Sequence, residues 1–201
     1  MRRILSTVVV PGLLVVAAAA LAQEAVPARI RGTIEAVDSQ TLTIATKSGA
    51  TEKVTLKAGA AVNEVVATKL SEIKPNSFVG VTALPGADGV LTAVEVHIFP
   101  EAARGTGEGH RPWDLGEGST MTNGTVGSVS GTSAKTITVK YGSDEKTVTV
   151  PETVPIVTFV PGDVSELVKG AHVVLFGQKA PDGSVTAARV AVGKDGLTPP
   201  M

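Results

Sequence analysis

Cysteine is absent from this 201-residue chain. No disulfide can staple the fold, no thiolate can act as nucleophile or metal ligand, and no lipid can be attached at a cysteine. Such a chain is compatible with an oxidising compartment. Aromatic residues are almost as scarce: four Phe, one Tyr and one Trp, too few for the rows of rings on which small barrels usually stack bases or sugars. Charge is not of one sign either. Eighteen basic residues stand against nineteen acidic ones, scattered without a basic stripe, which excludes nucleic acid as a partner.

Long apolar runs are lacking except at the start. Arg2 and Arg3 precede an apolar stretch from Ile4 to Ala19, and Ala20-Leu21-Ala22 gives a small-x-small cleavage pattern before Gln23. Pro11-Gly12 interrupts the stretch and disfavours a membrane-spanning helix. The expectation is a cleaved signal peptide over 1–22 and a periplasmic mature chain with no membrane attachment. Losing Arg2 and Arg3 takes the formal charge from −1 to −3.

What the mature chain has in abundance is period-two alternation. "RIRGTIEAV" from Arg29 sets Ile30, Gly32 and Ile34 on one face, "TLTIAT" from Thr41 sets Leu42 and Ile44, and "EKVTL" from Glu52 sets Val54 and Leu56. Threonines and charges occupy the other faces, as in half-buried strands. The pattern then repeats. "GTIEAV" at Gly32 returns as "GTVGSV" at Gly124, "TLTI" at Thr41 as "TITV" at Thr136, and "KVTL" at Lys53 as "TVTV" at Thr147. "LSEIKPNSFVGV" from Leu70 matches "VSELVKGAHVVL" from Val164 without a gap, and "DGVLTAVEVHI" from Asp88 matches "DGSVTAARVAV" from Asp182.

Each copy therefore reads as three strands, a fourth extended piece (62–68; 155–160), a helical turn with Ser71 or Ser165 as its N-cap, and a closing hairpin. The Asp-Gly pair of each hairpin predicts a two-residue type I′ turn. Strands this short bury themselves best by closing into a barrel, which also removes exposed edges. The expected fold is all-β, with two tandem OB-like barrels of five to six strands. The first repeat is placed at 23–100, a glycine-rich linker at 101–121, the second repeat at 122–193 and a tail at 194–201. The alternative is one intertwined body in which the copies exchange strands.

The frame G-[TS]-[IV]-x-x-V, T-[LI]-T-[IV], helical turn and D-G-x-[LV]-T-A resembles a family of bacterial exported small-barrel domains of unknown function, often found in tandem. The resemblance implies a barrel fold and no activity. A weaker likeness is to periplasmic copper-chaperone barrels, which begin with a similar G-x-[VI]-x-x-[VI] strand.

Chemistry-bearing residues are few. His97 and His172 read as surface or rim residues, and the phenylalanines as core or barrel-end packing. Ser119, His110 and Asp114 are of the right types for a hydrolytic triad but lack a Gly-x-Ser-x-Gly elbow, so no enzymatic activity and no cofactor are expected. His110, Trp113 and Met121 are the candidates for a copper site, since Cu(I) favours thioether and imidazole and can be capped by an indole. The linker holds the one tryptophan, whose exposure would forfeit roughly 2–3 kcal/mol. Arg111, Pro112, Trp113, Asp114 and Leu115 are accordingly expected to form an ordered clip or a partner contact. The functional expectation is a non-enzymatic exported binding or envelope-associated module whose partner is an unidentified protein or envelope component. The alternatives are a periplasmic copper-binding accessory protein and an oligosaccharide- or peptide-binding barrel pair. Mass spectrometry of the mature protein should find a chain starting at Gln23; an intact Arg2-Arg3 terminus in the membrane fraction would overturn the export reading.

Overall fold

The threonine-rich alternation becomes twelve strands in the computed structural model, which describes residues 25–86, 89–132 and 134–201. The expected leader lies outside the described residues, as does Asp88. The strands are β1 (Val26–Asp38), β2 (Thr41–Thr46), β3 (Thr51–Ala67), β4 (Phe78–Pro85), β5 (Leu91–Ile98) and β6 (Gly109–Pro112), then β7 (Thr120–Ser130), β8 (Lys135–Tyr141), β9 (Asp144–Val150), β10 (Ile156–Pro161), β11 (His172–Lys179) and β12 (Val185–Gly193). Among the described residues helical structure is limited to short 3-10 turns such as Leu70–Glu72 and Val164–Glu166. Among the described residues no helix is long and apolar enough to cross a membrane.

The fold is all-β and built on closed five-stranded barrels. In each repeat the first three strands form an antiparallel meander, β1-β2-β3 and β7-β8-β9. The strands that close each meander come from the other repeat. β1 pairs with β11, β11 with β12, and β12 runs parallel to β3, completing a terminal barrel. β7 pairs with β4, β4 with β5, and β5 meets β9 in a short parallel contact, completing a central barrel.

Barrel boundaries therefore do not coincide with the repeat boundaries of 23–100 and 122–193. The expectation that each copy closes its own barrel is replaced by an exchange of hairpins. The physical reason lies in β3. Its 17 residues, at ~3.3 Å each, outrun what one small barrel needs. The chain has left its own barrel before it turns at Leu70–Glu72.

The far half of β3 pairs antiparallel with β10, the equivalent strand of the other repeat, with Val65 opposite Phe159. These two positions are themselves equivalent, so an internal pseudo-twofold axis passes between them. The remaining registers obey it. Val62 pairs with Val190 as Ile156 pairs with Val96, and Val54 pairs with Val185 as Val148 pairs with Leu91. Two separate cores result. Ile34, Leu42, Ile44 and Val54 pack with Leu175 and Val190 in one, while Val126, Ile137 and Val148 pack with Val81 and Val96 in the other. A third, smaller cluster at the axis contains Val65, Val157, Val174 and Ala191.

The motif glycines have a steric reason. A Cβ at Gly32 would collide with the carbonyl oxygen of Ala45, and one at Gly124 with that of Lys140. One hairpin turn differs from expectation. At Asp182-Gly183 only the glycine has positive φ, and Gly183 N–H donates to the Ala180 carbonyl. This is a type I turn with Pro181 at its second position, followed by a left-handed glycine. The proline ring suits that turn and excludes type I′. The caps also shift: Asp163 accepts from Ser165 N–H, and Lys69 holds the other N-cap position without a side-chain bond, so neither Ser71 nor Ser165 caps.

An isolated chain of residues 25–100 has three strands of one barrel and a hairpin that fits another. Two copies should exchange hairpins and form a dimer, seen by light scattering, with a melting temperature that rises with concentration. A stable monomeric barrel from this fragment would contradict the exchange.

Candidate functional site

The exchange places equivalent outer faces of the two barrels about the axis, and it is here that the repeats differ most in chemistry. On the central barrel, Thr82 lies between Glu95 and Met121, and Gly80 between His97 and Asn123. At the equivalent positions of the terminal barrel, Phe176 lies between Arg189 and Arg29, and Val174 between Ala191 and Arg31. One face carries an acid where the other carries a guanidinium.

Glu95 is fully buried, and Thr82 Oγ1 donates to its Oε1 at 2.8 Å. His97 Nδ1 stands 3.1 Å from the same oxygen. His97 is thus not the rim residue that alternation suggested. It is 5% exposed, with its ring edge-on to Phe99 at 4.7 Å and to Phe159 at 5.5 Å. Gly80 makes this possible, because a Cβ there would collide with the imidazole. His172 is only half-buried and hydrogen-bonds Thr33 Oγ1 through Nδ1 at 2.9 Å. The phenylalanines do not plug the two barrel cores. Phe78 packs on Phe99 at 5.3 Å between ring centres, and Phe99 on Phe159 at 5.8 Å, outside the barrels.

The stretch expected as a linker at 101–121 is the cover of this face. Its middle forms β6, which adds to the edge of β7, and Trp113 N–H donates to the Ser119 carbonyl. Beyond β6 the segment reaches the terminal barrel. The Arg29 guanidinium lies 3.6 Å from the centre of the Trp113 ring, with Arg111 at 5.4 Å. Asp114 accepts from Arg29 Nη1 at 2.7 Å and takes a bidentate pair of bonds from Arg31 at 2.7 and 3.0 Å. Arg31 Nε also donates to a main-chain oxygen of Met201 at 2.7 Å. Hydrogen bonds from Arg31, assisted by the charges of both arginines and opposed by burial, hold the Asp114 carboxyl at about 2. Of the other expected clip residues, Leu115 N–H donates to Ser119 Oγ and Pro112 is exposed in β6 opposite Thr120.

Between these faces and under the clip lies a cavity of about 370 Å³. Phe99, Phe159, Phe176 and Trp113 supply apolar walls; Arg29, Arg111 and Arg189 supply charge; no carboxylate side chain lines it among the described residues. Three of its lining residues each hold one buried side-chain atom without a hydrogen-bond partner among the described residues: Arg29 Nε, Trp113 Nε1 and Asn123 Oδ1. Asn123 is itself 4% exposed, and its Nδ2 donates to the Thr106 carbonyl at 3.0 Å, which fixes which way the amide faces.

The proposed copper trio does not assemble. β6 and β7 place His110 opposite Thr122 and Arg111 opposite Met121, so His110 and Met121 occupy opposite faces of the ribbon. His110 bonds Thr122 Oγ1 at 2.8 Å and stacks on Tyr141, while Met121 is buried beside Thr82. Burial, with a smaller contribution from Lys146, lowers the His110 pKa. Ser119, His110 and Asp114 are also each engaged separately: Ser119 Oγ donates to the Trp113 carbonyl at 2.9 Å. No group of three or more His, Cys, Asp or Glu side chains suited to a metal occurs among the described residues.

Arg29, Arg189, Glu95 and Asn123 escaped the sequence reading. The available signal was non-equivalence: Glu95 aligns with Arg189 and Met121 with Arg29 inside otherwise matching frames. No known protein family, curated protein or solved structure matches the chain.

The Asp114 carboxyl is held below its ordinary value of 3.8, so its contribution is complete above that value and lost as pH falls through about 2. Trp113 emission should be constant down to about pH 4 and shift to the red below it. Asp114→Asn should produce the same shift at neutral pH and cost no more than about 1 kcal/mol, because the carboxylate is half exposed. Unchanged emission in the variant would show that the ion pairs do not hold the clip.

Proposed function

We propose that this protein is a non-enzymatic, exported binding module whose ligand occupies the cavity between the barrels, beneath the clip. The observation that carries this reading is that three residues lining one cavity, Arg29, Trp113 and Asn123, each hold a buried polar atom with no hydrogen-bond partner among the described residues. Leaving a buried donor or acceptor unpaired costs about 1–3 kcal/mol, so three around one space mark groups kept for something other than folding. Export rests on the leader-like pattern of residues 1–22. The cavity is at the small end of ligand sites, better matched to a compact molecule than to a chain of sugars or peptide units.

The copper reading has one feature in its favour: His97, Met121, Met201 and Trp113 all line the cavity. Charge argues the other way. Arg29 already covers the Trp113 ring that would cap a metal ion, and Arg111 and Arg189 add two further cations.

Titration of the full chain with 8-anilinonaphthalene-1-sulfonate should give saturable one-to-one binding, with energy transfer from Trp113. Ala103→Phe, which puts a ring into the cavity from its wall, should lower the affinity at least tenfold while the melting temperature stays near that of the parent. A non-saturating signal, or an affinity indifferent to Ala103→Phe, would remove the cavity as the binding site.

A further inference from the structure

The charge balance of the cavity identifies the chemistry of its ligand. Three guanidiniums surround it and their compensation is incomplete. Among the described residues Asp114 is the one carboxylate side chain that pairs with any of them, through Arg29, and it is shared with Arg31. Arg111 donates from Nη1 to the Gly107 carbonyl at 2.7 Å and makes no ion pair among the described residues. Arg189 lies 5.1 Å over the Phe176 ring and likewise has no carboxylate partner there. The buried acid of the neighbouring face, Glu95, is turned to Thr82 and His97 and is not part of the lining.

Cations gathered without counter-charges in a partly desolvated place raise the free energy of the folded state. The strain is visible in two of them: burial lowers the Arg29 pKa against the opposing pull of Asp114, and burial together with Arg29 lowers that of Arg111. An anion held between them would relieve the repulsion and gain charge-assisted hydrogen bonds, which a planar guanidinium makes best with a carboxylate- or sulfonate-like group. The remaining walls are rings: Trp113, Phe99, Phe159 and Phe176. They suit an apolar, preferably flat, body.

We infer that the cavity takes a small organic anion, an aromatic or otherwise compact apolar acid, with its anionic head between Arg111, Arg29 and Arg189 and its body against the rings. This rests on the cavity being the ligand site, as proposed above, and adds the class of molecule. The divergence of the repeats fits it. At equivalent places the face is basic in one copy, with Arg29 and Arg189, and neutral or internally paired in the other, with Met121 and Glu95. An asymmetric ligand, charged at one end and apolar at the other, matches such a pair of faces.

The test compares two probes of nearly the same shape on the full chain. 8-Anilinonaphthalene-1-sulfonate carries the anionic head; N-phenyl-1-naphthylamine has the same rings without it. The sulfonate should bind at least tenfold more tightly. Arg111→Gln should cost the sulfonate about tenfold and leave the neutral amine within twofold. Arg189→Gln, at an exposed residue whose side chain makes no hydrogen bond or ion pair among the described residues, should cost the sulfonate about threefold; it serves should Arg111→Gln fail to fold. Equal affinity for the two probes, or sulfonate binding indifferent to both substitutions, would overturn the anion inference while leaving a ligand cavity in place. Binding of neither probe would instead overturn the cavity reading, and this inference with it.

Discussion

Every other feature of the molecule depends on the antiparallel pairing of β3 with β10, two equivalent strands that meet at Val65 and Phe159. Because equivalent residues face one another, the pairing creates a twofold relation within a single chain. Each repeat is carried past its own barrel and delivers its hairpin to the other. The same pairing sets equivalent outer faces about one axis, so that any difference accumulated between the repeats is displayed across one space. A cavity at such a junction has walls that can be tuned separately, although they derive from one frame.

The cover over this space is held by few but specific contacts. Asp114 brings together Arg29 and Arg31 from one strand, and the Trp113 ring lies under Arg29. Exposed ion pairs of this kind are worth little individually. Here the bidentate Arg31 geometry, the stacked guanidinium and the pairing of β6 with β7 act together. Arginine does what lysine could not, since its planar head serves a carboxylate at the edge and an indole at the face.

Much of the architecture was legible in the sequence. The alternation placed Ile34, Leu42, Ile44, Val54 and Leu56 on one face, and all five are buried in one core. The duplication, the closure into small barrels of five to six strands and the short helical turns were equally plain. Which repeat closes which barrel was not, because both copies offer the same hairpin with the same apolar face; only the unbroken length of β3 separates the two outcomes. The site was harder still. Arg29 and Arg189 look like ordinary outward-facing residues of a strand, and Gly80 like an ordinary weak point. Their roles come from contacts across the axis and from a cover whose glycine-rich composition conceals a strand.

The exchange of hairpins also sets an order of assembly. The central barrel is made of β4, β5, β7, β8 and β9, which follow one another along the chain, whereas the terminal barrel needs strands from both ends. A chain emerging from its N-terminus presents β1, β2 and β3 first, yet these find their closing partners only when β11 and β12 arrive last. During that interval the edges of β1 and β3 are unpaired, a condition that favours association with other chains. The early closure of the central barrel shortens the effective loop that the late step must close, since β3 and β12 are then held at the ends of a folded body rather than of a free coil. The inserted barrel is thereby the template on which the outer one is completed.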